Sequence, residues 1–222
     1  MRQKGRVDVS VYGVAGPPDT LGRPLEEVVE AALAGGMTIF QLRDKHSDTR
    51  SMVDQSRRLA AICRQRRATF VVNDRVDVAM AAGADGVHLG QQDMAVEDAR
   101  RLLGDDAIVG LTIHSEAEAQ SAPVELVDYF GVGGVYPTRS KDNPDPPIGP
   151  HGLARIVRIL NGRAPSAPVV AIAGITADTV PEVIAAGADG VAVVSAIFGA
   201  TDVEAAARTL AERVSGSRRS RS

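Results

Sequence analysis

Asp74 and Asp93 each stand just beyond an apolar run, at 69–72 and 86–89. If both runs are parallel strands, their C-terminal ends face one way and the two carboxylates converge although the chain separates them. Paired carboxylates suit a hard divalent cation, and Mg2+ typically takes one or two of them together with phosphate oxygens and water. The pair is a weak signal by itself, because acidic residues also cap helices; Asp74 stands where it could cap a helix beginning near Val76. Cations strengthen the reading. Arg43 and Lys45 are alternate residues directly beyond the apolar run 38–42, so they project to one side of a strand end. Lys141 lies on a long polar loop, 135–150, together with Thr138, Arg139 and Ser140. A polyanion with more charge than one phosphate accounts for Arg43, Lys45 and Lys141 together. Gly174 and Ser195 follow two later apolar runs, 168–173 and 190–194, and backbone N–H groups on those loops match the usual barrel phosphate site. His88 lies inside a strand-like run and reads as a core histidine, and His114 reads as a helix-start residue. No Ser-His-Asp, Cys-His or zinc-ligand spacing accompanies them.

Such residues need a scaffold that gathers strand ends. Apolar runs at 7–14, 38–42, 69–72, 86–89, 107–112, 126–131, 168–173 and 190–194 read as strands. Helical patterns alternate with them. One opens at Pro24. One runs from a cap at Ser47 or Asp48 to about Arg66. Others begin near Val76, cover 96–103 before Gly104, and follow Ser115 with Glu118 at capping-box spacing. The last three cover 152–160, follow a cap at Thr176, and run over 203–214. Alternation of this kind implies a parallel sheet, and eight units favour closure into a (β/α)8 TIM barrel, an α/β fold, as a single domain over 1–214. An open doubly wound sheet is the alternative, weakened by the lack of G-x-G-x-x-G after the first strand. The segment AAGADGV recurs letter for letter at 81–87 and 185–191. It reads as a helix-to-strand turn at the end away from any site, which makes Asp85 and Asp189 turn residues. The basic segment 215–222 reads as a disordered tail.

Composition limits the function classes. A formal net charge of −3 gives no reason to invoke nucleic acid. The lone cysteine, Cys63, excludes an internal disulfide, fits a reducing cytoplasm and falls on an apolar helical stripe. No apolar run approaches the roughly 18 residues that a membrane span requires.

Seven motifs in order, at 41–45 (QLRDK), 72–75 (VNDR), 86–93 (GVHLGQQD), 110–114 (GLTIH), 136–141 (YPTRSK), 171–175 (AIAGI) and 191–195 (VAVVS), together resemble the thiamine phosphate synthase family. That resemblance implies condensation of 4-amino-5-hydroxymethyl-2-methylpyrimidine diphosphate with a thiazole phosphate, releasing pyrophosphate. It implies that Gln41, Leu42, Arg43, Asp44, Lys45, Asn73, Thr112 and Lys141 contact the pyrimidine diphosphate. It implies that Thr138, Arg139, Ser140, Gly174, Val194 and Ser195 hold the thiazole phosphate, and that Asp74 and Asp93 hold Mg2+. Arg43, Lys45 and Lys141 are then the catalytic cations. Asp44, Thr112 and Ala173 depart from the commoner Glu, Ser and Gly of the family, and none of these changes removes a chemical function.

Two rivals differ in what they need. A barrel paralogue that isomerises a thiazole phosphate would use the late phosphate loops without Mg2+ or diphosphate contacts. A non-catalytic phospho-ligand sensor would keep only a pocket. The joint presence of Arg43, Lys45, Asp74, Asp93 and Lys141 favours the synthase over both. Its partners are then small phosphorylated molecules, with neither nucleic acid nor membrane, and the sequence leaves a homodimer open.

Overall fold

A computed structural model of the chain describes residues 7–138 and 146–221. Eight parallel strands close in sequence order: β1 Val11–Ala15, β2 Ile39–Leu42, β3 Thr69–Asn73, β4 Gly86–Leu89, β5 Ile108–Ile113, β6 Tyr129–Val132, β7 Val169–Ile172 and β8 Gly190–Val193. The ring is completed by β1 on β8, with Tyr12 opposite Ala192. The helices are α1 Leu25–Ala34, α2 Thr49–Gln65, α3 Val76–Ala82, α4 Val96–Leu103, α5 Glu116–Ser121, α6 Gly149–Arg163, α7 Val180–Ala185, α8 Ser195–Phe198 and α9 Val203–Arg221. The expected (β/α)8 barrel is therefore the observed fold. No described helix is long and apolar enough to cross a membrane.

Alternation along each strand splits the core in two. Outward residues such as Phe40, Leu42, Phe70, Val72, Leu89 and Phe130 pack under the helices. Inward residues such as Val9, Tyr12, Ile39, Val71, Tyr129 and Val170 fill the barrel itself. Strands buried on both faces read as continuous apolar runs, which is why their pattern is so plain in the sequence. Cys63 lies wholly inside the outer layer, and burial pushes its thiol up to about 12.

Side-chain acceptors pair the strands at the barrel floor, the end where the strands begin. Asp85, Asp128 and Asp189 precede β4, β6 and β8, and each carboxylate accepts the amide of Phe70, Val109 or Val169 on the strand before, at 2.8, 2.8 and 2.9 Å. Thr38, before β2, accepts from the Val11 amide at 3.2 Å in the same way. The repeated AAGADG turn thus carries a strand-pairing carboxylate away from the site. Arg100 closes this floor, donating to Asp128 at 2.7 Å and to the carbonyls of Gly104, Ala107 and Leu126.

Several local expectations shift. Asp48, rather than Ser47, caps α2 and accepts from the Ser51 amide at 3.0 Å. Asp74 caps no helix; Arg75 holds the N-cap position of α3. Thr179, not Thr176, stands at the N-cap of α7, because its hydroxyl closes a turn with the Thr176 amide first. Strand β6 begins three residues later than its apolar run, since 124–126 form a turn. The segment expected to be a disordered tail continues α9 as far as Arg221, and Arg218 donates to Ser10 Oγ at 2.7 Å.

Candidate active site

The C-terminal ends of the strands surround a cavity of about 140 Å3. One wall holds Gln41, Arg43, Asn73 and Thr112, from the ends of β2, β3 and β5. The opposite wall holds Thr138, Gly174, Val194 and Ser195, from the loops after β6, β7 and β8. The residues that the sequence divides between two ligands therefore face one space. Tyr12, His88, His114 and Ile172 line it as well.

The wall made by the loops after β6, β7 and β8 is shaped by backbone. Ala173 and Gly174 have φ of 84° and 65°, left-handed values that suit glycine and strain alanine. A Cβ on Gly174 would stand 2.4 Å from the Pro137 carbonyl oxygen, so only glycine lets the β6 loop fold down here. Ser195 opens α8 at the cavity, and the Ile197 and Phe198 amides behind it donate to the Val194 carbonyl at 3.2 and 2.9 Å. Arg23 fixes the other end of α8 by donating to the carbonyls of Phe198 and Ala200 at 2.5 and 2.9 Å.

The rim beside β2, β3 and β4 carries the charges. Lys45 pairs with Asp74, whose φ of 60° lifts it out of the strand conformation. Asp93 accepts from the Gly90 amide at 2.7 Å, which folds the loop after β4 back toward the rim. Burial raises the Asp74 carboxyl above its ordinary range; the neighbouring Asp93 adds to the rise and Lys45 opposes it. Two carboxylates in mutual repulsion, offering only oxygen, fit a hard divalent ion that draws its other ligands from phosphate and water.

Not every expected residue meets the cavity. Leu42 is wholly buried under the helices, so its side chain faces away from the barrel interior. Asp44 turns into its own loop and accepts the amides of His46 and Ser47 at 2.9 and 3.0 Å, which with its neighbours' hydrogen bonds holds its carboxyl below the ordinary range against burial. Arg139, Ser140 and Lys141 lie outside the described residues. His88 is a satisfied core histidine, with Tyr129 and Thr112 on its two ring nitrogens. His114 lines the cavity, and its amide donates to Glu118 at 2.6 Å; the capping carboxylate thus reaches one residue further back than a capping box requires. Tyr12 and Tyr129 escaped sequence reasoning, because a strand tyrosine between apolar neighbours looks like ordinary core.

Comparison with known proteins agrees with this geometry. A family model described as thiamine monophosphate synthase matches residues 11–197. The chain is 48% identical over 205 residues to a thiamine-phosphate synthase of Agrobacterium fabrum, covering 92% of this chain and 90% of that one. It is 47% identical over 197 residues to one of Moorella thermoacetica, covering 89% and 91%. A solved thiamine phosphate pyrophosphorylase from Pyrococcus furiosus superposes with a TM-score of 0.84 at 38% identity, covering 96% of this chain and 98% of that chain. With one barrel, one two-walled cavity and matches of this extent, the chain belongs to the thiamine monophosphate synthase family.

Proposed function

We propose that the chain joins the pyrimidine CH2 of 4-amino-5-hydroxymethyl-2-methylpyrimidine diphosphate to the ring nitrogen of 4-methyl-5-(2-phosphoethyl)thiazole, giving thiamine phosphate and pyrophosphate; the carboxylated thiazole phosphate gives the same products with loss of its carboxylate as carbon dioxide. The observation that supports this best is the cavity itself, which has a cationic and amide-bearing wall opposite a wall of loop backbone. Gln41, Asn73 and Thr112 take the pyrimidine, with Arg43, Lys45 and Lys141 on its diphosphate. Thr138 to Ser140, Gly174, Val194 and Ser195 take the thiazole phosphate. Leu42 and Asp44 contribute through their backbone and loop.

Asp74 and Asp93 would hold Mg2+, which when bound neutralises charge on the diphosphate oxygens. The pyrimidine CH2–O bond breaks with its electron pair leaving on the diphosphate, assisted by the electron-donating amino group. Arg43, Lys45 and Lys141 stabilise the charge growing on the departing oxygen. The thiazole nitrogen, held across the cavity, then supplies the electron pair of the new C–N bond. No protein nucleophile is needed, and the chain acts by placing two reactants and stabilising charge. This chemistry on small phosphorylated molecules fits a cytoplasmic enzyme.

One assay tests the proposal. Both substrates with Mg2+ should release pyrophosphate in step with thiamine phosphate formation, and EDTA should stop it. Release that needs only one substrate, or persists in EDTA, would overturn it.

A further inference from the structure

The loop between β1 and α1 is built to present one guanidinium. It begins with a helical turn, Pro17–Thr20, and then reverses through Leu21 and Gly22, at φ of 56° and 80°. Leu21 is 71% exposed, so no packing of its side chain holds it in a conformation that strains a non-glycine residue. Hydrogen bonds around buried Thr20 hold the reversal instead. Thr20 Oγ1 donates to the Arg23 carbonyl at 2.7 Å, with the Pro17 carbonyl at 3.1 Å, and the Arg23 amide donates to the Thr20 carbonyl at 3.2 Å. The Arg23 side chain then spans two loops. Its Nε donates to the Thr20 carbonyl at 2.9 Å, and its two Nη atoms donate to the carbonyls of Ala200 and Phe198 at 2.9 and 2.5 Å.

The far side of this bridge is the turn that carries Val194 and Ser195. The Phe198 amide donates to the Val194 carbonyl at 2.9 Å, Gly199 to Ser195 at 3.0 Å and Ala200 to Ile197 at 3.1 Å, so 194–200 moves as one piece. One turn of helix has too few bonds to hold its own place. The Phe198 ring supplies one anchor. It is wholly buried, it meets the Phe40 ring edge-on at 5.8 Å, and a Cβ on Gly13 would lie 3.0 Å from it. A single anchored ring leaves the turn free to pivot about it. The rigid guanidinium fork, bonded to two further points of the turn, removes that freedom.

We infer that Arg23 is a positioning residue for the thiazole phosphate, acting through the turn that ends in Val194 and Ser195. Both of these line the cavity, whereas Arg23 is absent from the described residues that do. Ala200 is half-buried, so water can serve its carbonyl when the guanidinium is lost. What Arg23 adds is therefore placement of the turn more than stability of the barrel. The inference rests on the thiazole phosphate reading given above.

Steady-state kinetics with each substrate varied in turn test it. Arg23→Met keeps the apolar stem and removes the fork. KM for the thiazole phosphate should rise about tenfold, with KM for the pyrimidine diphosphate within about twofold and kcat within about threefold, as expected when one reactant alone is misplaced. Arg23→Lys keeps the charge without the fork, and its KM for the thiazole phosphate should stay at least about threefold above that of the parent. An unchanged KM for the thiazole phosphate in Arg23→Met, or equal rises for both substrates, would overturn the inference. So would a parent-like KM in Arg23→Lys, which would make Arg23 a charge and not a brace, and which decides alone should Arg23→Met fail to fold. Absence of turnover in the parent protein would instead defeat the substrate reading and the inference with it.

Discussion

Lys45 and Asp74 form an ion pair across the gap between the ends of β2 and β3, so the cation proposed for the diphosphate rests on a carboxylate proposed for the metal. On the proposed function the two assignments compete: substrate would draw Lys45 to phosphate and release Asp74 to the ion. Lys45→Met should then strengthen Mg2+ binding to the substrate-free protein by about two- to fivefold, the worth of a partly exposed pair. It should also lower kcat/KM for the pyrimidine diphosphate by about 100-fold. Calorimetric titration with Mg2+ and steady-state kinetics check both halves, and an unchanged metal affinity would show that the pair does not compete.

Asp74 holds its proton more tightly in the folded protein than in the unfolded chain. Its ionisation therefore costs stability as pH rises from below about 4 towards neutrality. Asp74→Asn removes the charge and keeps a side chain that tolerates a φ of 60°. In EDTA the variant should match its parent near pH 3 and melt about 1–3 °C higher at pH 7. A variant that melts lower at pH 7 would mean that the Lys45 pair outweighs burial and the Asp93 repulsion.

Gly174→Ala places a methyl group 2.4 Å from the Pro137 carbonyl oxygen at a φ of 65°. The β6 loop must lift, which takes Thr138 away from the thiazole wall. KM for the thiazole phosphate should rise about tenfold or more, with KM for the pyrimidine diphosphate little changed. Equal effects on both would detach Gly174 from one wall of the cavity.

Ala173→Gly relieves an alanine at a φ of 84°. The strain released, about 1–2 kcal/mol, exceeds the roughly 0.5–1 kcal/mol of extra chain entropy that glycine loses on folding. Chemical denaturation should find the variant more stable by about 0.5–1 kcal/mol. A loss of stability would show that the alanine methyl packs usefully there.

Arg100 and Asp128 are buried together, with side-chain exposures of 6% and 5%. Asp128→Ala strands a guanidinium among carbonyls and also frees the Val109 amide. The expected loss is about 3–5 kcal/mol, or roughly 10 °C in Tm, with both KM values unchanged in the folded fraction. A change in KM would mean that floor and mouth are coupled.

Much of this was legible in the sequence, for reasons that differ by residue. The end of α4 is marked by Gly104, and β4 keeps its sequence-read bounds because turn residues close it on both sides. The start of β6 was misplaced because Leu126, in the turn, and Val127, just after it, are apolar for packing against the core, not for a strand. The rim set of Lys45, Asp74 and Asp93 could be found because strand ends collect polar residues in an otherwise apolar pattern. The Tyr12–Tyr129 contact joins residues far apart in the chain, and neither period nor spacing encodes such a meeting. The loop contacts of Asp44 were hidden for another reason: its place between Arg43 and Lys45 does not announce that its carboxylate accepts two amides just ahead of it.

The floor acceptors bind strands in twos, with Thr38, Asp85, Asp128 and Asp189 each tying an even strand to the odd one before it. Within a continuously bonded ring the side chains thus group the strands into four pairs, each fastened at the base. Fastening at one end leaves the loops at the other free to diverge, so a lineage could change its ligand by rewriting the mouth while inheriting the hoop unaltered.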